Sequence, residues 1–432
     1  MFIKKNIAII GSGYVGLVSA LCFADMGHNV TAIDKDTDKI AKLNKAISPI
    51  YEAGLENLLK KNLASKNISF TTNFAEGLKN KDACFIAVGT PYDEKTQTSN
   101  LSYLFSALDD ILNNISNDIV IINKSTVPLG TAELIKQKIE DYKTKYKIYL
   151  ASNPEFLSQG RAVKDFQFPM RIIIGVEDEI SEKLLQDIYQ PFINESSPII
   201  STNIASAELI KYASNSFLAL KVSFINEIAQ ISAKTGANIE DISYSMGLDE
   251  RIGDKFLKSG PGYGGSCFPK DTISLAHSAK ELSLDLPIIK NINFSNDTTI
   301  KNIADKIDLL LQQHNMSDLL VMGAAFKAGT DDIRDSQSLK IISYLQEKRK
   351  NINIAIHDPF ALKHVKENTN LTKSQDLKKI LKEHKLIVIA TEWREYQELS
   401  SELFLDKIVV DLRGILRKLA NNKNYFQLGV NF

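Results

Sequence analysis

Cys267 lies in GPGYGGSCFPKD (260–271), a run whose four glycines and two prolines suit neither a regular helix nor a strand. The chain has three cysteines, and the other two, Cys22 and Cys84, sit in apolar runs as packing residues do. A free thiol is often only a small core residue, and composition alone leaves that reading open. The local sequence offers another. After Pro269, KDTISLAHSAKEL reads as a helix with Asp271 in its first turn, so Cys267 stands just before a positive helix end, beside Lys270. Positive charge there raises the thiolate fraction. A thiolate adds to an aldehyde, hydride loss from the thiohemiacetal leaves a thioester, and water cleaves it. Gly262, Gly264 and Gly265 would let backbone come close to a bulky ligand.

That chemistry needs a hydride acceptor, and the N-terminus offers a site for one. KKNIAIIGSGYVGLVSALCFADMGHNVTAIDKD contains an apolar strand, then Gly11, Gly13 and Gly16 in GxGxxG, then a helical run from Tyr14, then a strand ending at Asp34. Gly11 permits the tight turn, Gly13 a close approach of backbone to pyrophosphate, and Gly16 the packing of helix on strand. Tyr14 and Val15 begin the helix whose free N–H groups and positive dipole end suit the phosphates. Asp34 lies about 20 residues on, where a carboxylate accepts from the ribose 2′-hydroxyl and repels a 2′-phosphate, favouring NAD over NADP. Lys35 and Lys39 weaken that preference without reversing it; Lys39 is grouped with the cofactor side.

Stepping outward, ISFTT (68–72), DACFIAVGTP (82–91), DIVIINKSTVP (118–128) and KIYLASNPEF (147–156) read as further strands with helices between several of them. Three end in small or polar residues: Gly89–Thr90, Ser125–Thr126 and Ser152–Asn153. Ligands of doubly wound sheets sit at carboxyl strand ends, so these residues are expected to line one crevice, although such residues also simply cap helices and turns. Residues 204–234 lack proline and glycine and predict one long helix, apolar on more than one side, that connects domains and offers a face to a second subunit. Lys211 and Asn215, four apart, share one face of it, as solvated pairs also do. LLVMGAAF (319–326), INIAIHDP (352–359), LIVIATEW (386–393) and KIVVDLRG (407–414) then predict a second parallel sheet. It lacks GxGxxG, so no second dinucleotide is expected, but Phe326, Lys327, Arg334 and Arg413 near its strand ends could meet an anionic nucleotide. The expected fold class is α/β: two Rossmann-like, doubly wound parallel-sheet domains (1–202 and 300–432) joined by a central helical and dimerisation domain with a long helix (203–299).

The totals agree with a globular enzyme. The 432 residues are 44% apolar and 24% charged, with 52 basic and 52 acidic side chains, which argues against a duplex-coating or membrane-surface protein. Three cysteines without a close pair exclude a disulfide framework and suit a reducing compartment. Ile7 to Ala24 carries no charge but is interrupted by GSGYVG, so a buried strand–turn–helix explains it better than a signal or span, and a cytoplasmic protein is expected. Six scattered histidines give no metal-ligand spacing.

DERIGDKFLKSGPGYGGSCFPKD (249–271), with GSGYVG, STVP, SNPEFL and AELIKYASNSFLA, resembles the nucleotide-sugar 6-dehydrogenase family, the UDP-glucose 6-dehydrogenases in particular, in order along essentially the whole chain. The resemblance implies two successive NAD-dependent oxidations of a sugar C6 hydroxyl to a carboxylate, with UDP-glucose giving UDP-glucuronate as the leading expectation and GDP-mannose or a UDP-amino sugar as the alternative substrate. It implies Cys267 as the nucleophile carrying the thioester, Lys211 stabilising oxyanion character at C6, and Asn215 bonding the same region. Asp271 would position or activate water, while Glu155 and Thr126 serve proton transfer and the hydrolytic water. Phe156 and Leu157 would meet the substrate through backbone, with Phe256, Lys258, Tyr263 and Gly264 along it. Phe326 and Lys327 would also touch it, and Arg251 would reach the partner's nucleotide sugar across a homodimer interface. Thr90, Thr126, Gln159 and Arg334 would belong to the cofactor side. Family members commonly carry Glu where Gln159 stands, so a role for charge there is in doubt. A two-electron hydroxyacid dehydrogenase would share the N-terminal fold and a helix lysine but would need neither Cys267 nor the second sheet. A binding scaffold without turnover would not need the set Lys211, Asn215, Cys267 and Asp271.

Overall fold

The computed structural model describes residues 3–93, 95–96, 98–192 and 197–432. Its contacts divide the chain into two compact units, Met1–Ala213 with His277–Leu282, and Ser214–Ala276 with Ser283–Phe432.

The first unit is built on an eight-stranded sheet. Its strands are β1 (Asn6–Ile10), β2 (Asn29–Ile33), β3 (Ile68–Thr71) and β4 (Ala83–Ile86), then, after the short hairpin β5 (Tyr92–Asp93) and β6 (Thr98–Ser99), β7 (Ile119–Asn123), β8 (Ile148–Ser152), β9 (Ile172–Gly175) and β10 (Ile199–Thr202). The spatial order is β10-β9-β8-β7-β4-β1-β2-β3. All neighbours run parallel except β8 and β9, which meet antiparallel at Ser152 and Gly175. β1, β4 and β7 are apolar and buried along their length because helices cover both faces. Strand order reverses beside β1, which places the crevice at the carboxyl ends of β1 and β4.

The second unit has a six-stranded, fully parallel sheet: β11 (Asp318–Met322), β12 (Asn353–His357), β13 (Leu371–Lys373), β14 (Leu386–Ile389), β15 (Ile408–Asp411) and β16 (Tyr425–Gln427), ordered β13-β12-β11-β14-β15-β16. Both sheets are therefore doubly wound α/β layers. The long helix runs from Ile204 to Thr235, with the division between the units falling inside it.

The strands read from β1 to β4, β7, β8, β11, β12, β14 and β15 are all present. β9, β10, β13 and β16 extend the sheets beyond that reading. Among the described residues no helix is long and apolar enough to cross a membrane, and no group of three His, Cys, Asp or Glu could hold a metal.

Candidate active site

In the first unit the turn after β1 is shaped for a dinucleotide. Gly11 has φ +96°, and a Cβ there would meet Ala87 O at 2.7 Å; one on Gly16 would meet Gly11 O at 1.9 Å. At Gly13 a Cβ would meet nothing within 4 Å, so the turn is open on the side where a pyrophosphate approaches. The helix α1 (Tyr14–Asp25) has Gly13 as its N-cap and no capping side chain, which leaves its first amides for a ligand. Asp34 accepts from Ser12 N (2.7 Å), Asp36 N (3.0 Å) and Lys39 Nζ (2.9 Å). Burial works against the Asp34 carboxylate, but Lys39 and the two amides outweigh it and hold its pKa below the ordinary range. The residues present thus fit an adenosine diphosphate moiety. Lys39 is the ion-pair partner of Asp34, in a helix that starts with Asp36 as N-cap.

Strand ends bring further sequence-selected residues together. Thr90 Oγ1 donates to Thr126 O (2.7 Å), joining the loops after β4 and β7. Lys211, buried on the long helix, donates to Glu155 O (2.6 Å) and lies 3.3 Å from Glu155 Oε1. The other carboxylate oxygen of Glu155 accepts from Leu157 N (2.5 Å). Two cations lie over the Phe156 ring, Arg171 at 4.2 Å and Lys211 Nζ at 5.1 Å from its centroid. Tyr14, read with the cofactor turn, directs its hydroxyl to Glu52, whose carboxylate also accepts from Gly160 N (2.7 Å) and Ala162 N (2.9 Å). Glu52 thereby ties the SNPEFLSQG loop, with Gln159, to the start of α1.

In the second unit Cys267 is exposed and its carbonyl accepts the first helical bond, from Asp271 N (2.8 Å), so the thiol stands at the N-cap of the Phe268–Glu281 helix. Ser266 Oγ is 3.7 Å from Sγ. Asp271, 1% exposed, accepts from Asn215 Nδ2 (2.6 Å) and pairs with Lys270 Nζ (2.7 Å). Asn215 and Asp271 were selected separately from the sequence; here they form one buried pair.

The glycines before the thiol do allow a close approach, but it is to the chain itself. A Cβ on Gly262 would meet Asn296 Oδ1 at 2.5 Å, on Gly264 Asp335 O at 2.1 Å, and on Gly265 the Phe326 ring at 2.8 Å. Gly265 N donates to Arg334 O (2.9 Å), and Gln337 Nε2 to Gly262 O (3.1 Å). The run is thus clamped to the segment after β11. Tyr263 is fixed by Asn296 through both backbone groups and donates its hydroxyl to Asn293 (2.6 Å). Lys327 lies 5.6 Å from the Phe326 ring centroid. Arg413 donates to Ala390 O (2.9 Å) and pairs with Glu392 (3.0 Å), beside Gly260. Phe256, at φ +63°, is exposed with its ring 5.9 Å from that of Phe268. Lys258 is exposed. Arg251 and Arg334 are held by Asp249 and Asp332, each at 2.6 Å.

Three family models cover the chain in order. Residues 5–193 match the NAD binding domain, 205–298 the central domain and 320–418 the UDP binding domain of the UDP-glucose/GDP-mannose dehydrogenase family. The chain belongs to that family. It is 43% identical over 436 residues to a UDP-glucose 6-dehydrogenase of Rickettsia felis, covering 98% of this chain and 96% of that protein. The solved UDP-glucose dehydrogenase of Pyrobaculum islandicum superposes with TM-score 0.91 at 33% identity, over 100% of this chain and 98% of the other. A UDP-D-ManNAc dehydrogenase of Pyrococcus horikoshii gives 0.86 at 26%, over 99% of both chains.

Family membership also makes sense of the second sheet's missing glycine motif. The amides of Ala324 and Ala325, at the turn where a dinucleotide's phosphates would lie, donate to Asp358 Oδ2 (2.8 and 3.0 Å). The same carboxyl takes Phe360 N, Ala361 N and Trp393 Nε1, so the turn is filled by the chain's own anion. Reading the sequence missed Glu52, Lys124, Glu208, Asn293, Asn296 and Gln337. Glu208 was in view only as the second residue of AELIKY.

Proposed function

We propose that this chain is a UDP-glucose 6-dehydrogenase that oxidises the C6 alcohol of UDP-glucose to the carboxylate of UDP-glucuronate. The observation that carries the reading is Cys267: an exposed thiol at a helix N-cap, beside the buried Asn215–Asp271 pair, in a glycine run clamped to Phe326–Gln337. A two-electron dehydrogenase has no use for that thiol. The identity to UDP-glucose 6-dehydrogenases, higher than to the amino-sugar enzyme, supports glucose as the sugar.

NAD, when bound, accepts the hydride in each of two oxidations. Lys211 supplies positive charge where oxygen at C6 becomes anionic, a role that costs no reorganisation because its amine is already fixed by Glu155. Glu155 takes the hydroxyl proton, directly or through water held with Thr126. Cys267 Sγ then bonds to the aldehyde carbon, giving a thiohemiacetal whose second hydride loss leaves a thioester. Asp271, oriented by Asn215 and Lys270, directs water to the acyl carbon, and the C–S bond breaks to free carboxylate and thiol. The balance is one alcohol, one water and two NAD⁺ giving one carboxylate, two NADH and three protons.

Phe156, Leu157, Phe256, Lys258, Tyr263, Gly264, Phe326 and Lys327 hold the nucleotide sugar in this reading, and Gln159, Thr90 and Arg334 the cofactor side. The division into 1–202, 203–299 and 300–432 is part of it, supported by where the three family matches fall. So are a cytoplasmic location and a homodimer in which Arg251 serves the partner's substrate. Their support is that none of the three cysteines is in a disulfide, and an exposed apolar helix face.

Incubation with NAD and UDP-glucose, GDP-mannose or UDP-N-acetylmannosamine, counting NADH against product, tests the assignment. Two NADH per UDP-glucuronate, and little turnover of the other sugars, is expected. One NADH per substrate would remove the four-electron reading.

A further inference from the structure

A second lysine lies buried in the first unit, and the scheme above leaves it unused. Lys124 follows the last residue of β7, two residues before Thr126, and it is only 3% exposed. Its Nζ donates to Asn153 Oδ1 (2.8 Å), with Tyr189 Oη at 3.3 Å and Asn153 O at 3.4 Å. Tyr189 in turn donates to Asn153 Oδ1 (2.6 Å), and Asn153 Nδ2 to Ile173 O (2.8 Å). The Phe166 ring closes the remaining side at 5.7 Å. Among the described residues no carboxylate lies within ion-pair distance of this amine. A surface lysine dropped by chance into a core would not find three oxygens so arranged.

Asn153 stands two residues before Glu155. The segment from Asn153 to Glu155 is therefore gripped at both ends by amines, Lys124 on Asn153 and Lys211 on the carbonyl and carboxylate of Glu155. We propose that Lys124 is a positioning residue for the reaction assigned above. Its amine fastens the Asn153–Glu155 turn to the strand end that carries Thr126, and its charge acts on the Glu155–Lys211 pair. The proposal rests on that functional assignment.

Burial pushes the Lys124 amine down to about 7; Glu155 opposes the shift and Lys211 adds to it. The other titratable group facing it is the Tyr189 phenol, which burial raises and on which the Cys22 thiol also acts. Lys124 thus changes charge in the range where dehydrogenases are assayed. Losing its proton removes a like charge from near Lys211 while keeping the amine's hydrogen bonds available.

The test compares the full-length enzyme with Lys124→Met, which keeps an unbranched chain one atom shorter and removes donor and charge. The kcat of wild type should follow a group titrating near pH 7. In the methionine variant that limb should vanish and kcat fall about 10- to 100-fold, with KM for UDP-glucose changed less than about threefold. Unfolding gives a readout independent of turnover. The folded-state value lies below the unfolded one, so between about pH 7 and 10.5 the unfolded chain holds the extra proton and stability rises with pH. Lys124→Met should flatten that rise. Should the methionine variant not fold, Tyr189→Phe removes one partner of the amine and should lower kcat about threefold while shifting the same limb. A folded variant with wild-type kcat and pH profile overturns the positioning role while wild-type turnover leaves the assigned reaction standing. A wild type that makes no NADH from any sugar overturns both.

Discussion

At the scale of single residues, the decisive group is the Cys267 sulfur. Its place at a helix N-cap gives it the amide dipoles that favour a thiolate, and the glycines before it are consumed in packing rather than left as a loose loop. Serine has the same shape but a far more basic oxygen and would form no readily hydrolysed acyl intermediate under the same conditions. Cys267→Ser is expected to bind NAD and UDP-glucose within about twofold of wild type by calorimetry and to lower UDP-glucuronate formation on the order of 10³-fold or more. Undiminished two-step turnover would remove the nucleophile assignment. This residue was legible in the sequence because a thiol between glycines and proline is rare in type and place. Lys124 and Glu52 were not, because charged residues read as solvated until burial is known, and burial is a property of the whole fold. Gly262, Gly264 and Gly265 were read as space for a ligand; only the structure shows Asn296, Asp335 and Phe326 filling that space.

At the scale of elements, the strands read from apolar runs were found because β1, β4 and β7 are buried on both faces and carry no polar alternation. β13 and β16 escaped because they have three residues each and lie at the sheet edges. The connection between elements that matters most for the site is Glu208. From the long helix, one turn before Lys211, its carboxylate accepts from Gly130 N (3.1 Å) and Ala132 N (3.2 Å) and so caps the Thr131–Asp141 helix that follows the Thr126 loop. Burial pushes Glu208 up to about 7, with Glu133 adding and the two amides opposing. Because the folded-state value exceeds the unfolded one, its contribution to stability is complete below about pH 4.5 and is lost as pH rises through about 7. Glu208→Gln keeps an acceptor without the charge. Relative to wild type it should gain on the order of 2–3 kcal/mol between pH 4.5 and 8 in chemical unfolding. Glu208→Ala, leaving the Gly130 and Ala132 amides without that acceptor, the second of them buried, should lose about 1–3 kcal/mol at pH 5. Parallel pH curves for wild type and the glutamine variant would show that the carboxyl is not the titrating group.

At the scale of the whole molecule, the proposed homodimer follows from a face that one chain leaves uncovered. Phe217, Phe224 and Ile231, at heptad spacing on the long helix, are 61, 44 and 60% exposed, and Tyr244 and Leu248, on and just after the next helix, are exposed too. Exposed apolar side chains at that spacing on a helix of 32 residues suit a matching helix of a second copy, since a two-fold axis sets the same patch of each chain against the other. Arg251 lies on the loop after that second helix with its side chain 88% exposed and Asp249 as its ion-pair partner; in the proposed dimer it would exchange Asp249 for a phosphate of the partner's substrate. Two substitutions separate the interface from the arginine. Phe224→Glu should give monomers by light scattering and a fall in activity of about tenfold or more, because burying a carboxylate in an apolar seam is costly. Arg251→Ala should stay dimeric and raise KM for UDP-glucose about tenfold or more with a smaller change in kcat, as expected for lost substrate binding alone. A dimer that survives Phe224→Glu, or a fully active monomer, would place the subunit contact elsewhere and return Arg251 to its pairing with Asp249.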